Sequence, residues 1–428
     1  MTDFHQPSAS EDARPVSVSA RLGRLQFHRS GKFRVLQLAD IQDGPKVSKD
    51  TIRLIEASLD AARPDIVIFT GNQIAGYDDA YSATFRKRRW DTSASEPVNE
   101  RRMARTRAKV RDCIAMFLQP LIERGVPFAV TYGNHDFQCG LDTAELDAIY
   151  REFPGCLNPQ ITVDDDGHIR PCTMPLSGVP DTQILPCEPG MFALPVMDPD
   201  RARNALGLVM LNSGDYAREG GYGTPSEQAL QFLRDVPAWM GTQSMVFQHM
   251  PLPQYYDVLK EAPANAAGAM QGYRTHESEY YVIDESKILP GGYLGEGVSC
   301  PDQDSGEFSI LRDSGGYCGV VAGHDHRNGF VGLLDDVMLV ATPTCGFGSY
   351  GPAAAQRATR LFEFDIRHPH NPRTQLLEFG ELVGKPSSRK AYTFAMEGRS
   401  GAGAPSDEVN LLKKPGLLAG VAAALKKI

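Results

Sequence analysis

Tyr132-Gly133-Asn134-His135-Asp136 closes a short apolar run, Val126 to Val130, that reads as a strand. The Gly lets the backbone turn sharply, and an amide, an imidazole and a carboxylate follow at the strand's carboxyl end. In an open α/β sheet that edge is where ligands bind. Four other apolar runs in the chain finish in similar polar clusters. Phe33 to Leu38 leads into Asp40-Ile41-Gln42, and Ile66 to Thr70 leads into Gly71-Asn72. Met245 to Phe247 leads into Gln248-His249, and Gly319 to Ala322 leads into Gly323-His324-Asp325-His326.

Between the first two runs, Ser48 is placed to cap a helix that carries Ile52, Ile55 and Leu59 on one face. Strand, helix, strand in that order is a βαβ unit. The β-branched run Ile66 to Thr70 suits a buried parallel strand. Further strands are expected at Leu206 to Leu211, Val337 to Ala341 and Arg360 to Ile366. A second helix should present Val110, Ile114, Phe117 and Leu121 inward. Thr224-Pro225-Ser226-Glu227 has the form of a capping box, with Pro at the first helical position. Residues 139 to 200 read as hairpins and loops.

The collected strand ends hold Asp40, Gln42, Asn72, Asn134, His135, His249, His324 and His326. Imidazole beside carboxylate and amide oxygens suits Mn, Fe or Zn. His324 and His326, one residue apart, can point at two neighbouring ions.

The order of these clusters resembles the calcineurin-like metallophosphoesterase superfamily, which includes the purple acid phosphatases. Gly133-Asn134-His135-Asp136 and Gly323-His324-Asp325-His326 are its most specific motifs here, and the resemblance spans roughly residues 30 to 368. Asn212-Ser213-Gly214-Asp215-Tyr216 and Phe247-Gln248-His249-Met250-Pro251-Leu252-Pro253 are similar to the branch of intracellular purple-acid-phosphatase-like proteins. The resemblance implies an α/β fold of four layers, two mixed sheets face to face with helices outside. It implies one or two divalent ions per chain and hydrolysis of a small phosphorylated substrate by a hydroxide held between the ions. Asp40, Gln42, Asn72 and His326 would line one ion site, and Asn72, Asn134, His249 and His324 the other. His135 would protonate the leaving oxygen, with Asp136 orienting its ring.

Two positions depart from the family pattern. Gln42 stands where His is expected, and Asn72 stands where the bridging Asp is expected. Asp40 is then the one carboxylate left facing two cations. The alternative to an enzyme is a weak or inactive member that binds a phosphorylated ligand or a protein partner.

The chain has 428 residues, 42% hydrophobic and 23% charged, with ample material for a large core. Its formal charge of -9 argues against general nucleic-acid binding. No apolar run is long enough for stable membrane insertion. The start has no basic and apolar leader, and the eight Cys form no CxxC pair. Reduced thiols in the cytoplasm are expected, with Cys300 and Cys318 the one candidate pair.

An arm over residues 1–30, a catalytic domain over 31–370 and an extension over 371–428 are expected. Leu417 to Lys427 has the pattern of a short amphipathic helix, either docked on the domain or touching an acidic membrane surface. The Arg-rich insertion at 77–109 either reaches a substrate phosphate or forms a solvated face. Residues 262 to 305 are either a lid or a loose insertion.

Overall fold

The core is built from strands whose alternate residues enter two different apolar layers. In the computed structural model, which describes residues 14–90, 100–166 and 168–387, the strands are β1 (Lys32–Leu38), β2 (Ile66–Thr70), β3 (Phe128–Thr131), β4 (Leu185–Glu188) and β5 (Met191–Met197). They continue with β6 (Asn204–Met210), β7 (Ser244–Phe247), β8 (Leu259–Glu261), β9 (Met270–Gln271) and β10 (Tyr280–Ile283). The last are β11 (Tyr317–Ala322), β12 (Phe330–Leu334), β13 (Val337–Ala341), β14 (Ala358–Asp365) and β15 (Arg373–Glu378). The helices are α1 (Val18–Leu22), α2 (Lys49–Ala62), α3 (Glu100–Glu123), α4 (Thr143–Tyr150), α5 (Glu227–Met240), α6 (Glu307–Asp313) and α7 (Phe379–Leu382).

Five strands form one sheet in the order β15-β14-β1-β2-β3, and seven form another in the order β12-β13-β11-β7-β6-β5-β4. β1, β2 and β3 run parallel, as do β6, β7, β11 and β13, while β14, β15, β12, β5 and β4 each join a neighbour antiparallel. Both sheets are therefore mixed. Val35, Ile66, Ile68 and Ala129 point from the first sheet toward Leu208, Met245, Phe247 and Val321 of the second. Their neighbours Leu36, Val67, Phe69 and Val130 point the other way, onto Leu59 of α2, Phe117 of α3 and Tyr150 of α4. On the far side, Val209, Val246 and Val320 meet Leu233 of α5 and Phe308 of α6. The result is the expected four-layer sandwich. A period of two along each central strand feeds both layers, so these strands are apolar throughout.

Several local details differ from expectation. Ser226, not Thr224, caps α5: its hydroxyl accepts from the Ala229 N–H. Pro225 thus precedes the helix instead of opening it. α4 and β5 occupy the stretch expected as hairpins and loops, and α4 carries a true capping box between Asp142 and Glu145. The first 30 residues are less loose than expected where described, since Leu25 and Phe27 are fully buried. The first sheet also runs on past residue 370, with β15 paired to β14 and Phe379 buried beyond it. Residues 262–305 contain β9 and β10, which with β8 form a separate three-stranded sheet. All eight Cys are free thiols, Cys300 and Cys318 included. No helix among the described residues is long and apolar enough to cross a membrane. The expected helix at 417–427 lies outside the described residues.

Candidate metal centre

Parallel strands within each sheet deliver their carboxyl ends to one edge, and the face-to-face packing brings the two edges together. Asp40 follows β1, Asn72 follows β2 and Asn134 follows β3. His249 follows β7, and His324 and His326 follow β11. Asp40, Gln42, Asn72 and His324 all sit at positive φ, between 44° and 68°. That backbone costs about 1–3 kcal/mol per residue outside glycine and persists where surrounding contacts impose it. Here it turns four polar side chains back into the crevice straight after a strand. Gly71 and Gly133 make room for one ring: a Cβ at either would lie within 2.7 Å of the His249 imidazole.

The site is buried. Asp40, Asn72, Asn134 and His249 are no more than 1% exposed, and His324 is 7% exposed. Asp40 Oδ2 accepts the His324 N–H at 2.8 Å and ties the two sheets together. Its Oδ1 lies 3.4 Å from His326 Nε2 and 4.0 Å from His249 Nδ1, with no hydrogen-bond donor. Burial alone would raise this carboxyl, but His249, His326 and His324 around it hold it at about 2. Burial keeps His249 and His324 themselves below the usual imidazole range.

A chain of amides fixes which atoms face inward. The His135 N–H donates to Asn72 Oδ1 at 2.8 Å, so the Asn72 NH2 turns toward Asn134 Oδ1 at 3.2 Å. The Asn134 NH2 in turn donates to the Tyr216 hydroxyl at 2.8 Å. His249 Nδ1 donates to the Thr70 carbonyl at 2.9 Å, which leaves Nε2 as a bare lone pair. That lone pair lies 3.0 Å from Asn134 Oδ1 and 3.2 Å from His324 Nδ1. Asn134 Oδ1 and His249 Nε2 thus turn their lone pairs toward the same point, with the Asn72 NH2 and His324 Nδ1 beside them. His326 Nδ1 is held by the Tyr350 carbonyl at 2.7 Å, which points Nε2 at Asp40. Gln42 gives its NH2 to the Tyr77 hydroxyl at 3.0 Å, and its Oε1 is buried with no donor.

One expected role is corrected. Asp136 does not orient the His135 ring. Its carboxylate accepts backbone N–H groups from Asn72, Gly133 and Ile74 at 2.7–3.0 Å, groups that otherwise have no partner in these tight turns. Burial still pushes it up to about 7 against those donors. The ring of His135 is held by Gln138, whose Oε1 lies 2.7 Å from Nδ1. Burial lowers His135 to about 4.

Gln138 was readable from its position one helical turn past His135. Tyr77 and Tyr350 were not flagged: each reaches the site from a loop with no local motif. Tyr216 stood within a quoted motif, and here it stacks on Tyr222 at 5.8 Å. Tyr222 stands edge-on to His324 at 4.4 Å. Residues 295–299 are pinned to the Gly-His-Asp-His turn, with Gly295 and Glu296 N–H on Asn328 and Ser299 N–H on Asp325.

The donor set fits a divalent ion at two points. His249 Nε2, His324 and Asn134 Oδ1 could hold one, and Asp40 Oδ1, Gln42 Oε1 and His326 Nε2 could hold another. Asp40 Oδ1, Gln42 Oε1 and His324 Nε2 are buried without hydrogen-bond partners, which leaves their lone pairs open to a cation. Asn72 does not fit as a bridge, because an NH2 group faces where an anionic oxygen would be needed. Among the described residues, no three His, Cys, Asp or Glu side chains alone make a metal cluster. Amide oxygens are needed to complete either set.

The chain is 22% identical over 374 residues to an Arabidopsis thaliana protein named "Probable inactive purple acid phosphatase 29", covering 82% of each. It is 24% identical to the Saccharomyces cerevisiae protein "Phosphatase DCR2", covering 90% of this chain and 60% of that one. A solved dimetal phosphatase from Danio rerio aligns over 81% of this chain and 99% of its own, at 12% identity and a TM-score of 0.39. The family model for calcineurin-like phosphoesterases matches residues 33–328, and the chain belongs to that family.

Proposed function

We propose that this chain is a metal-dependent phosphoesterase that hydrolyses a small phosphate ester through an altered metal site. The observation that carries the reading is the set Asp40 Oδ1, Gln42 Oε1 and His324 Nε2, three buried ligand atoms of the candidate site without hydrogen-bond partners. His249, His324 and Asn134 would hold one ion, and Asp40, Gln42 and His326 a second, weaker one. Nitrogen and amide-oxygen donors suit Mn, Fe or Zn. Such ions, when bound, stabilise charge on phosphoryl oxygens and acidify an attacking water. The chain's own residues do the rest. The backbone N–H groups on Asp136 fix the turns that carry Asn72 and Asn134. With Nδ1 held by Gln138, His135 has Nε2 free to take a proton and pass it to the leaving oxygen.

A second reading is a member that binds a phosphorylated ligand or a protein partner without turnover. It is favoured by the Asn72 NH2 that faces the pocket and by the word "inactive" in the name of the Arabidopsis relative. Elemental analysis and turnover of an aryl phosphate separate the two. The first reading expects bound metal, hydrolysis that stops with chelation, and loss of most metal in His249→Ala. Metal without turnover selects the second reading. Unchanged metal in His249→Ala contradicts the assignment of that ligand.

A further inference from the structure

Four consecutive cations of the Arg-rich insertion, Arg86-Lys87-Arg88-Arg89, are not among the candidate metal ligands. They lie against the candidate site in three ways. The Arg86 N–H donates to the Gln138 carbonyl at 3.0 Å, and the Gln138 NH2 donates to the Lys87 carbonyl at 3.2 Å. The same Gln138 side chain holds the His135 ring through its oxygen. One glutamine therefore sets the strap and the ring in a common register. The Arg88 guanidinium lies 3.6 Å from the centroid of the Tyr216 ring, whose hydroxyl holds Asn134. Arg89 pairs with Asp215 and lies 5.0 Å from the Phe137 centroid.

Charge is balanced at one of these four positions. Asp215 answers Arg89. Arg86 and Lys87 are exposed and have no carboxylate partner among the described residues. Arg88 is half-buried on the Tyr216 ring, and its guanidinium also reaches the Lys87 carbonyl. Within the same insertion Arg107 bonds Glu145 at 2.7 Å. In a chain of formal charge -9, three unmatched cations at the rim of one crevice make a local field that favours anions. Guanidinium forks match the oxygens of phosphate and carboxylate. Stacking on Tyr216 holds the Arg88 fork in place before any ligand arrives, which reduces the ordering cost of binding.

We propose that the Arg86–Arg88 strap binds a second oxyanion on the leaving-group side of the substrate. The proposal rests on the phosphoesterase reading of the site. The substrate class is then a phosphate ester whose alcohol portion carries a further phosphate or carboxylate. The side follows from the register: the strap is fastened to the residue that holds His135, and His135 serves the leaving oxygen.

Inert ligands test this without turnover. Butylphosphonate, 1,4-butanebisphosphonate and 4-phosphonobutyrate are titrated into the Mn-loaded full chain by calorimetry. The bisphosphonate should bind about tenfold or more tightly than the monophosphonate, as a charge-assisted pair predicts. That ratio should shrink with added salt. In Arg86→Glu/Lys87→Glu, two surface changes, it should fall close to one. Arg88→Lys, which keeps charge and loses the fork, should give an intermediate ratio. The carboxylate ligand tells which oxyanion is preferred: a gain equal to that of the second phosphonate assigns charge as the determinant, and a smaller gain assigns the phosphoryl group. If butylphosphonate binds but the second group adds nothing, the strap proposal is wrong and the phosphoesterase reading stands. A gain that survives the double charge reversal also overturns it. If none of the three binds, the reading of the site fails and the proposal fails with it.

Discussion

Tyr77 decides which end of the Gln42 amide faces the pocket. Its hydroxyl takes the Gln42 NH2 at 3.0 Å, so the oxygen is turned inward, buried and without a donor. Partners of this kind commonly change metal affinity by about 10–100-fold. Tyr77→Phe removes the hydroxyl and keeps the ring, 4.9 Å edge-on from His135. Mn titration should then show at least tenfold weaker binding at the Asp40 side, and unchanged binding would mean that Tyr77 does not orient Gln42. The departures at Gln42 and Asn72 were legible in the sequence because flanking glycines and histidines marked the positions. The role of Tyr77 was not, since it lies 35 residues from Gln42 in an unmarked turn. Asp136 misled for a related reason. The family resemblance implied a carboxylate on the neighbouring ring, whereas burial put it on backbone N–H groups that had no other acceptor.

Strands that enter both core layers were legible because they are apolar throughout. β2 and β13 match the expected runs at both ends. β5 was not legible: Pro195 and two methionines sit in it, and Pro and Gly crowd the stretch before it. α4 was missed because eight residues carry too short a period, although Asp142 and Glu145 gave the capping signal. The stretch beyond residue 370 shows little alternation, yet β15 pairs along β14 and delivers Phe379 into the first core. Phe379 is fully buried, with its ring 4.8 Å from Phe347 and the Arg53 guanidinium 5.5 Å away. Phe379→Ala should cost about 3 kcal/mol of stability, a transfer term plus a cavity. Denaturant unfolding checks this, and a cost under about 1 kcal/mol would mean that the segment is not part of the core.

At the scale of the molecule, the sandwich makes the site by setting two sheet edges against each other, and the order of the polar clusters made that much legible. What the order could not give was the direction of each amide, which depends on hydrogen bonds between loops far apart in sequence. The same packing leaves Glu307 fully buried beside Gln248. Burial pushes it up to about 8, with Gln248 opposing and Asp304 adding. A folded pKa above the unfolded one means stability fully present below about 4.5 and lost as pH rises through about 8. Glu307→Gln keeps the neutral form, so its melting temperature should exceed that of the natural protein by roughly 5 °C at pH 9. The gap should close toward pH 5, and a gap independent of pH would contradict this. The central claim is that the Asn72 NH2 weakens the hold of the site on a second ion. The most direct measurement is the number of Mn ions bound per chain, by elemental analysis after equilibrium dialysis, in the natural protein and in Asn72→Asp. About one tightly held ion in the natural protein and about two in the variant is the predicted result. Two tightly held ions in the natural protein, or no gain in the variant, would contradict it.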